Sequence, residues 1–220
     1  MIRFENVTKT FRMDGRQKVV ADTINATFPS GRAVALLGRN GAGKSSLLQM
    51  IAGTMDPSSG RIVTTGRISW PVGFAGSFHG ELTGAQNARF IARIYGVDSD
   101  ELVDFVQEFA GLGEHFRLPF RTYSSGMKSR LAFGVSMGID FDTYLVDEVA
   151  AVGDAAFRAK GDRFFKARLK NAGAVVVSHS MSQIRQLCDS GAVLEKGRLT
   201  YYEDVEDAIS HHSRNMAAGD

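Results

Sequence analysis

The chain has 220 residues, of which 44% are hydrophobic and 23% are charged, so its composition is that of a folded globular protein and excludes wholesale disorder. Its 26 Lys and Arg residues nearly balance 24 Asp and Glu residues, and a formal charge of +2 argues against a protein that coats nucleic acid. A single cysteine, Cys188, cannot form a disulfide within the chain, which favours a reducing compartment. Apolar residues nowhere run together for about 18 positions, so we predict no membrane-spanning helix.

Short apolar runs predict strands that alternate with helical patterns along much of the chain. The predicted strands lie at 2–11, 18–21, 33–37, 61–65, 67–70, 144–146, 174–177, 191–194 and 199–202. From Leu82 onward the apolar residues recur at helical spacing, which predicts a helical subdomain at about 82–138, inserted between core segments 1–81 and 139–220. Because strands alternate with helices after this insert, we expect a single α/β domain, residues 1–220, with a parallel sheet.

Residues 38–45 have the pattern of a phosphate-binding loop, and we call them the phosphate loop. They match G-x-x-x-x-G-K-[S/T] and lie between a predicted buried strand and a predicted helix. Glycines let the backbone curl so that its N–H groups point at phosphate oxygens, and the helix that follows adds its positive end. We expect Lys44 to reach the β and γ phosphates and Ser45 to hold Mg²⁺. The loop alone fits a kinase, a GTPase, a motor protein or a transporter ATPase.

Polar residues follow two of the later predicted strands. Asp147 and Glu148 end the strand at 144–146, and His179 follows the strand at 174–177. Because ligands bind at the carboxyl ends of parallel strands, we expect these side chains to lie near the phosphate loop. Asp147 is a candidate metal ligand, and Glu148 is a candidate to orient or deprotonate an attacking water. His179 is a candidate to bind the γ-phosphate or to hold that water.

A serine-glycine turn, Tyr123 to Met127, opens another predicted helix. Ser124 or Ser125 suits a helix N-cap, since the hydroxyl accepts a hydrogen bond from the first turn. The alternative is a second anion site, in which the same hydroxyl and the helix N-terminus bind a phosphate. Two phosphate sites far apart in sequence fit two copies of the chain that are placed head to tail.

Taken in order, these motifs resemble those of the ATP-binding subunit of ABC transporters, over about residues 1–205. The resemblance implies a P-loop NTPase cassette with a mixed central sheet, an antiparallel β subdomain and an inserted helical subdomain. The phosphate loop is then Walker A, Tyr123 to Met127 the signature, and Tyr144 to Asp147 Walker B. Glu148 corresponds to the catalytic glutamate and His179 to the switch histidine.

The same resemblance implies further site residues and the cofactors ATP and Mg²⁺. Expected ATP contacts come from Phe11, Gly38, Arg39, Asn40, Gly41, Ala42, Gly43, Lys44, Ser45 and Ser46. Phe11 falls where the family stacks an aromatic residue on adenine, and the alternative is a core phenylalanine. Ser45 and Asp147 would hold the metal, and Asp154 lies in the D-loop. Ser124, Ser125 and Gly126 would contact the ATP of the other copy.

Where the sequence departs from the common family pattern, it is similar to the sequences of one branch of the family. The signature reads Tyr-Ser-Ser-Gly-Met, and the stretch from Trp70 to Ala85 lacks the usual Q-loop glutamine, which Gly73 or a neighbour replaces by position. Gln86 belongs to the helix that follows. Together with the strings at 68–71 and 146–149, these features resemble capsular polysaccharide export ATP-binding proteins of Gram-negative bacteria.

The branch implies an ATPase that powers export of capsular polysaccharide across the inner membrane. We expect a peripheral protein on the cytoplasmic face, a homodimer when ATP is bound, and an integral membrane permease, with two copies, as partner. Neither nucleic acid nor the polysaccharide is expected to bind directly. Phe74 and Phe78 are expected either to contact the permease or to pack locally. The alternatives are an O-antigen or teichoic-acid-type exporter, a non-transport ABC ATPase, a P-loop small-molecule kinase and a nucleotide-gated scaffold.

Overall fold

The computed structural model describes residues 1–13, 16–74, 76–147 and 154–217. Its strands are β1 (Ile2–Met13), β2 (Arg16–Phe28), β3 (Ala33–Leu37), β4 (Ser59–Thr64), β5 (Ile68–Pro71), β6 (Thr143–Asp147), β7 (Gly173–Val177), β8 (Ser190–Glu195) and β9 (Arg198–Tyr202). Its helices are α1 (Lys44–Ile51), α2 (Gly84–Tyr95), α3 (Ser99–Ala110), α4 (Ser125–Gly138), α5 (Ala155–Leu169), α6 (Met181–Leu187) and α7 (Val205–Ala217). Within the described ranges, no helix is long and apolar enough to cross a bilayer.

The first of two compact units carries the sheets. It contains the described parts of Met1–Pro71, Phe141–Glu148 and Leu169–Asp220. Among these residues one sheet has the strand order β5-β6-β7-β3-β8-β9, and a second sheet has the order β2-β1-β4. Neighbouring strands from β5 to β8 run parallel, as the alternation of strands and helices predicted. The pairs β1–β2 and β1–β4 are antiparallel.

The edge strand β9 departs from the expected parallel sheet, because it pairs antiparallel with β8. Only Lys196 and Gly197 join the two strands, and their φ angles are 46° and 81°. A two-residue turn with positive φ at both positions folds the chain straight back on itself, whereas a parallel crossover needs a dozen or more residues. The central sheet is therefore mixed.

The central strands of this sheet are buried on both faces. Every residue of β3 and of β7 is buried, which explains why both strands are continuous apolar runs. Helix α1 packs on the same core through Leu47, Leu48 and Ile51. Full burial of each such side chain stabilises the fold by about 1.5–3 kcal/mol. Because β3 and α1 are both packed in the core, the two ends of the phosphate loop are held in place.

The second compact unit is helical. It contains the described parts of Val72–Asp140 and Val149–Arg168. The insert predicted at about 82–138 lies within it, and α5 belongs to the same unit. The ring of Phe109 stacks on Phe105 and Phe133, with centroids 5.4 and 6.0 Å apart, and Phe157 of α5 meets it edge-on at 5.6 Å. These aromatic contacts hold α5 against α3 and α4.

A buried hydroxyl joins β5 to β6, the strand that ends at Asp147. Ser69 is fully buried, and its Oγ accepts a hydrogen bond from the backbone N–H of Leu145 at 2.8 Å. The same hydroxyl donates to the carbonyl of Trp70 at 2.7 Å. Because the Leu145 N–H is buried away from water, loss of the Ser69 hydroxyl would leave it without an acceptor.

We therefore predict that Ser69→Ala lowers the free energy of unfolding by about 1–3 kcal/mol, the cost of leaving a buried N–H without an acceptor. Urea denaturation followed by circular dichroism measures it. Ser213→Ala, on the exposed side of α7, is the matched control and should change stability by less than about 0.5 kcal/mol. Equal effects from the two variants would contradict the role given to Ser69.

Candidate functional site

Three chain segments converge at one edge of the mixed sheet. Strands β6, β7 and β3 are parallel neighbours, so their carboxyl ends lie side by side. Asp147, the last residue of β6, is paired with Val177, the last residue of β7, and His179 follows two residues later. Strand β3 ends at Leu37, directly before the phosphate loop. The structure thus brings Asp147 and His179 to the edge where the loop begins.

A cavity of about 570 Å³ lies at this edge, and we call it the main cavity. The predicted site residues that line it are Phe11, Asn40, Gly41, Gly43, Lys44, Ser45, Ser46, Asp147 and His179. A second cavity, of about 220 Å³, shares Asn40 and Gly41 with it and is lined also by Gly38, Arg39 and Ala42. Every residue that is predicted to contact ATP within one copy therefore borders one of these two cavities.

Three glycines of the phosphate loop lie where a side chain would be strained or would not fit. Gly41 and Gly43 have φ angles of 76° and 108°, in the left-handed region that favours glycine. A β-carbon on Gly43 would lie 2.8 Å from Cβ of Val20 on β2. A β-carbon on Gly38 would lie 2.5 Å from the carbonyl oxygen of Leu194 on β8. The glycines therefore allow the loop to pass between these two strands.

The start of α1 gives the main cavity a positive end. The N-cap residue, Gly43, provides no side-chain hydrogen bond to the first turn, and that turn contains no acidic residue. The first N–H groups of a helix have no partner within the helix, and the helix dipole favours an anion there. The ammonium of Lys44 lies across the loop and donates to the carbonyl oxygens of Gly38 at 2.7 Å and Arg39 at 3.1 Å. Together these groups form a cradle for phosphate.

The same cavity offers oxygen ligands for a magnesium ion. The hydroxyl of Ser45 and the carboxylate of Asp147 both line it. In the part of the chain that the structure describes, no group of three or more His, Cys, Asp or Glu side chains could hold a metal. Mg²⁺ bound with a nucleotide takes one or two protein ligands and completes its shell with phosphate oxygens and water. Two hard oxygen donors beside a phosphate cradle fit that requirement.

Comparison with known proteins identifies the family. Residues 21–151 match the family model described as ABC transporter. The chain belongs to the ABC transporter family. Over 215 residues it is 48% identical to the polysialic acid transport ATP-binding protein KpsT of Escherichia coli. The match covers 96% of each chain. It is 43% identical to the capsule polysaccharide export ATP-binding protein CtrD of Neisseria meningitidis serogroup B, covering 97% of this chain and 99% of CtrD.

Comparison with solved structures identifies the fold. The structure is similar to the dimeric structure of the ATP-binding cassette MJ0796 bound to ADP and Pi, with a TM-score of 0.76 and 19% identity over 93% of this chain and 99% of that chain. The predicted cassette fold, with its mixed central sheet, antiparallel sheet and helical region, is confirmed. The protein is therefore an ATP-binding ABC ATPase.

Two predicted residues of the cassette follow β6 in the sequence. Glu148 follows Asp147 in the sequence but lies outside the described residues, as do residues 151–153 of the D-loop. Asp154 is described, and its carboxylate accepts a hydrogen bond from the backbone N–H of Phe157 at 2.8 Å. Asp154 therefore caps the start of α5. Its D-loop role, like the catalytic role of Glu148, stays a prediction.

The signature residues lie in the helical unit. Ser124 is the N-cap of α4, and its Oγ accepts a hydrogen bond from the backbone N–H of Met127 at 3.3 Å. The N-cap interpretation is thus confirmed for Ser124. Ser124 and Ser125 are exposed, whereas Tyr123 before them is buried. A contact of Ser124, Ser125 and Gly126 with the ATP of a second copy stays a prediction.

In its described residues, the segment that lacks the family glutamine contains an exposed phenylalanine. Gln86 is bound in a capping box at the start of α2, where its side chain accepts from the Thr83 N–H at 2.9 Å, so it serves the helix as predicted. Phe78 is buried and packs edge-on against Phe120, with centroids 5.3 Å apart, so it packs locally. Phe74, in contrast, is 56% exposed and is still a candidate for contact with a partner.

Other residues of the main cavity are ones to which no sequence motif points. They are Lys18, Val20 and Val177. Lys18 lies directly opposite Phe11 in the β1–β2 pair, and Phe11 itself is partly exposed and outside the buried core. The amine of Lys9 lies 5.2 Å from the centroid of the Phe11 ring. The pairing of Phe11 with Lys18 depends on strand register, which the sequence pattern does not reveal.

We predict that Lys44→Ala weakens ATP binding by about 100-fold, because the variant loses a charge-assisted contact with phosphate in a partly enclosed site. Isothermal titration with ATP in the presence of Mg²⁺ measures the change. Lys170→Ala, which removes an exposed lysine that lines neither cavity, is the control and should bind ATP as the parent does. Unchanged affinity in Lys44→Ala would contradict the phosphate cradle.

Proposed function

We propose that this protein is the ATP-hydrolysing subunit of an ABC exporter that moves capsular polysaccharide across the bacterial inner membrane. The observation that carries the choice of substrate is the similarity, over nearly the whole of both chains, to KpsT and CtrD. The protein would bind the cytoplasmic face of the membrane through an integral permease, of which two copies are expected. The polysaccharide passes through the permease and does not contact this subunit, and nucleic acid has no role.

The main cavity supports a specific division of work in hydrolysis. The N–H groups of the phosphate loop and the Lys44 ammonium bind and orient the triphosphate. Ser45 and Asp147 would hold Mg²⁺, which neutralises charge on the phosphates when it is bound. Glu148 accepts a proton from the attacking water, and His179, at the end of the neighbouring strand, holds the terminal phosphate or that water in place. The adenine stacks on Phe11.

Hydrolysis is coupled to a homodimer that forms when ATP is bound. The exposed signature serines at the start of α4 bind the γ-phosphate held by the other copy, so that the phosphate is shared by both subunits. The cassette MJ0796, which has the same fold, was solved as a dimer. Loss of the γ-phosphate removes the shared charge, and the two copies separate. Closing and opening of the dimer then drives the permease between its states.

We expect Glu148→Gln to bind ATP with near-parental affinity but to hydrolyse it at least about 100-fold more slowly, because the amide cannot accept a proton from water. The bound ATP should then hold the variant as a dimer, visible by size-exclusion chromatography with light scattering. Glu203→Gln, at an exposed position before α7, is the matched control for charge and should turn over normally. Parental turnover by Glu148→Gln would show that another residue activates the water.

The transport role has a test of its own. The protein should co-purify with an integral membrane protein, and reconstitution with that protein should raise its rate of phosphate release. Phe74→Ala, which removes an exposed ring, should weaken this capture, whereas Met216→Ala, which removes an exposed side chain on α7, should leave it intact. Co-purification with ribosomes or DNA, without a membrane partner, would identify a non-transport ABC ATPase instead.

A further inference from the structure

A second ammonium lies at the main cavity, and it comes from the antiparallel sheet. It belongs to Lys18 of β2, whose side chain lines the cavity together with Phe11 and Val20. Lys18 and Phe11 are directly paired across the β1–β2 ladder, and directly paired residues project from the same face of a sheet. Lys18 and Val20 are two positions apart on one strand and so share that face as well.

Two side chains on this face of β2 lie against two glycines of the phosphate loop. A β-carbon at Gly43 would meet Cβ of Val20 at 2.8 Å, and a β-carbon at Gly41 would meet the Nζ atom of Lys18 at 3.6 Å. The Lys18 ammonium is therefore close to the phosphate loop at Gly41, which has a φ angle of 76°. The strand places the amine there because successive same-face positions of β2 oppose alternate glycines of the loop.

The positive charge of Lys18 beside the phosphate loop is suited to binding the phosphate chain of a nucleotide. The loop already directs backbone N–H groups and the dipole of α1 at an anion, and an ammonium beside the turn adds a full positive charge to the same potential. Lys44 donates to loop carbonyls, while Lys18 approaches from the antiparallel sheet, so the two amines reach the loop from different elements. The aromatic ring opposite Lys18 provides a surface for the base of the same ligand.

We propose that Lys18 is a second phosphate-binding cation of the nucleotide site, which contacts the phosphate chain of ATP and of ADP while Phe11, its cross-strand partner, binds the adenine. The proposal rests on nucleotide binding at the phosphate loop and adds to it a residue outside all the family motifs. The β1–β2 pair then recognises both the base and the charge of the nucleotide. A merely structural Lys18 would instead use its aliphatic stem to cover Phe11 and Gly41.

Substitutions at Lys18 separate the two roles. Lys18→Met keeps the length and apolar character of the stem but removes the charge, Lys18→Arg keeps the charge, and Lys18→Glu reverses it. Lys170→Met is the matched control, since Lys170 is an exposed lysine that does not line the cavity. Dissociation constants for ATP, ADP and adenosine are measured by isothermal titration at low and at high NaCl, and thermal unfolding checks that each variant is folded.

We expect Lys18→Met to weaken ATP and ADP binding by about fivefold, with a larger loss for Lys18→Glu, because an exposed charge acts on several phosphate charges through water. Lys18→Arg should restore most of the lost affinity. Adenosine, which has no phosphate, should bind equally to all variants, and the loss for ATP should shrink at high salt because the charge is screened.

Two results would overturn the assignment. If Lys18→Met binds ATP as tightly as the parent, the ammonium does not contact phosphate. If adenosine and ATP are weakened equally, Lys18 acts through the wall around Phe11. Lys44→Ala, measured alongside, distinguishes these failures from a failure of the proposed function: if the parent protein itself bound no ATP, and Lys44→Ala behaved identically, both the cradle and the role of Lys18 would be rejected.

Discussion

The phosphate loop is held so closely between two strands that two of its glycines have no room for a side chain. At Gly38 the limit is the carbonyl oxygen of Leu194 on β8, and at Gly43 it is Cβ of Val20 on β2. The first contact ties the loop to the mixed sheet, and the second ties it to the antiparallel sheet. Because the loop joins both sheets of this compact unit, its shape is set before any ligand arrives, and the rest of the site is built around it.

The order of strands decides which side chains the loop meets. Strand β3, which leads into the loop, lies beside β7, and β7 lies beside β6. The carboxyl ends of these parallel strands carry His179 and Asp147 to the cavity where Lys44 and Ser45 lie. A carboxylate, an imidazole, an ammonium and a hydroxyl thus meet although they are distant in sequence. The helical unit contributes a different feature, the exposed serines at the start of α4, which suits a contact between copies.

Much of the site was predictable because its residues follow local rules. The glycine spacing of the phosphate loop reflects the left-handed φ angles at Gly41 and Gly43, and a polar residue after a buried apolar run marks the end of a parallel strand. Local capping rules also predicted that Ser124 or Ser125 begins α4, and the structure selects Ser124. The antiparallel pairing of β9 is decided by a short turn, and the choice between the two expectations for Phe78 is decided by the ring of Phe120, which is distant in sequence.

The position of Lys18 shows where local rules end. The pairing of β1 with β2 shifts register three times between Phe4 and Thr10 before it brings Phe11 opposite Lys18. Each shift moves the following side chains relative to the partner strand, so the composition of either strand does not determine which residues meet. The sequence by itself determined the phosphate loop, the acidic strand end and the family of the protein, because these depend on residues close together in the chain. The tertiary structure alone decided that β2 lies against the loop and that its lysine reaches the cavity, because packing between two sheets sets that contact.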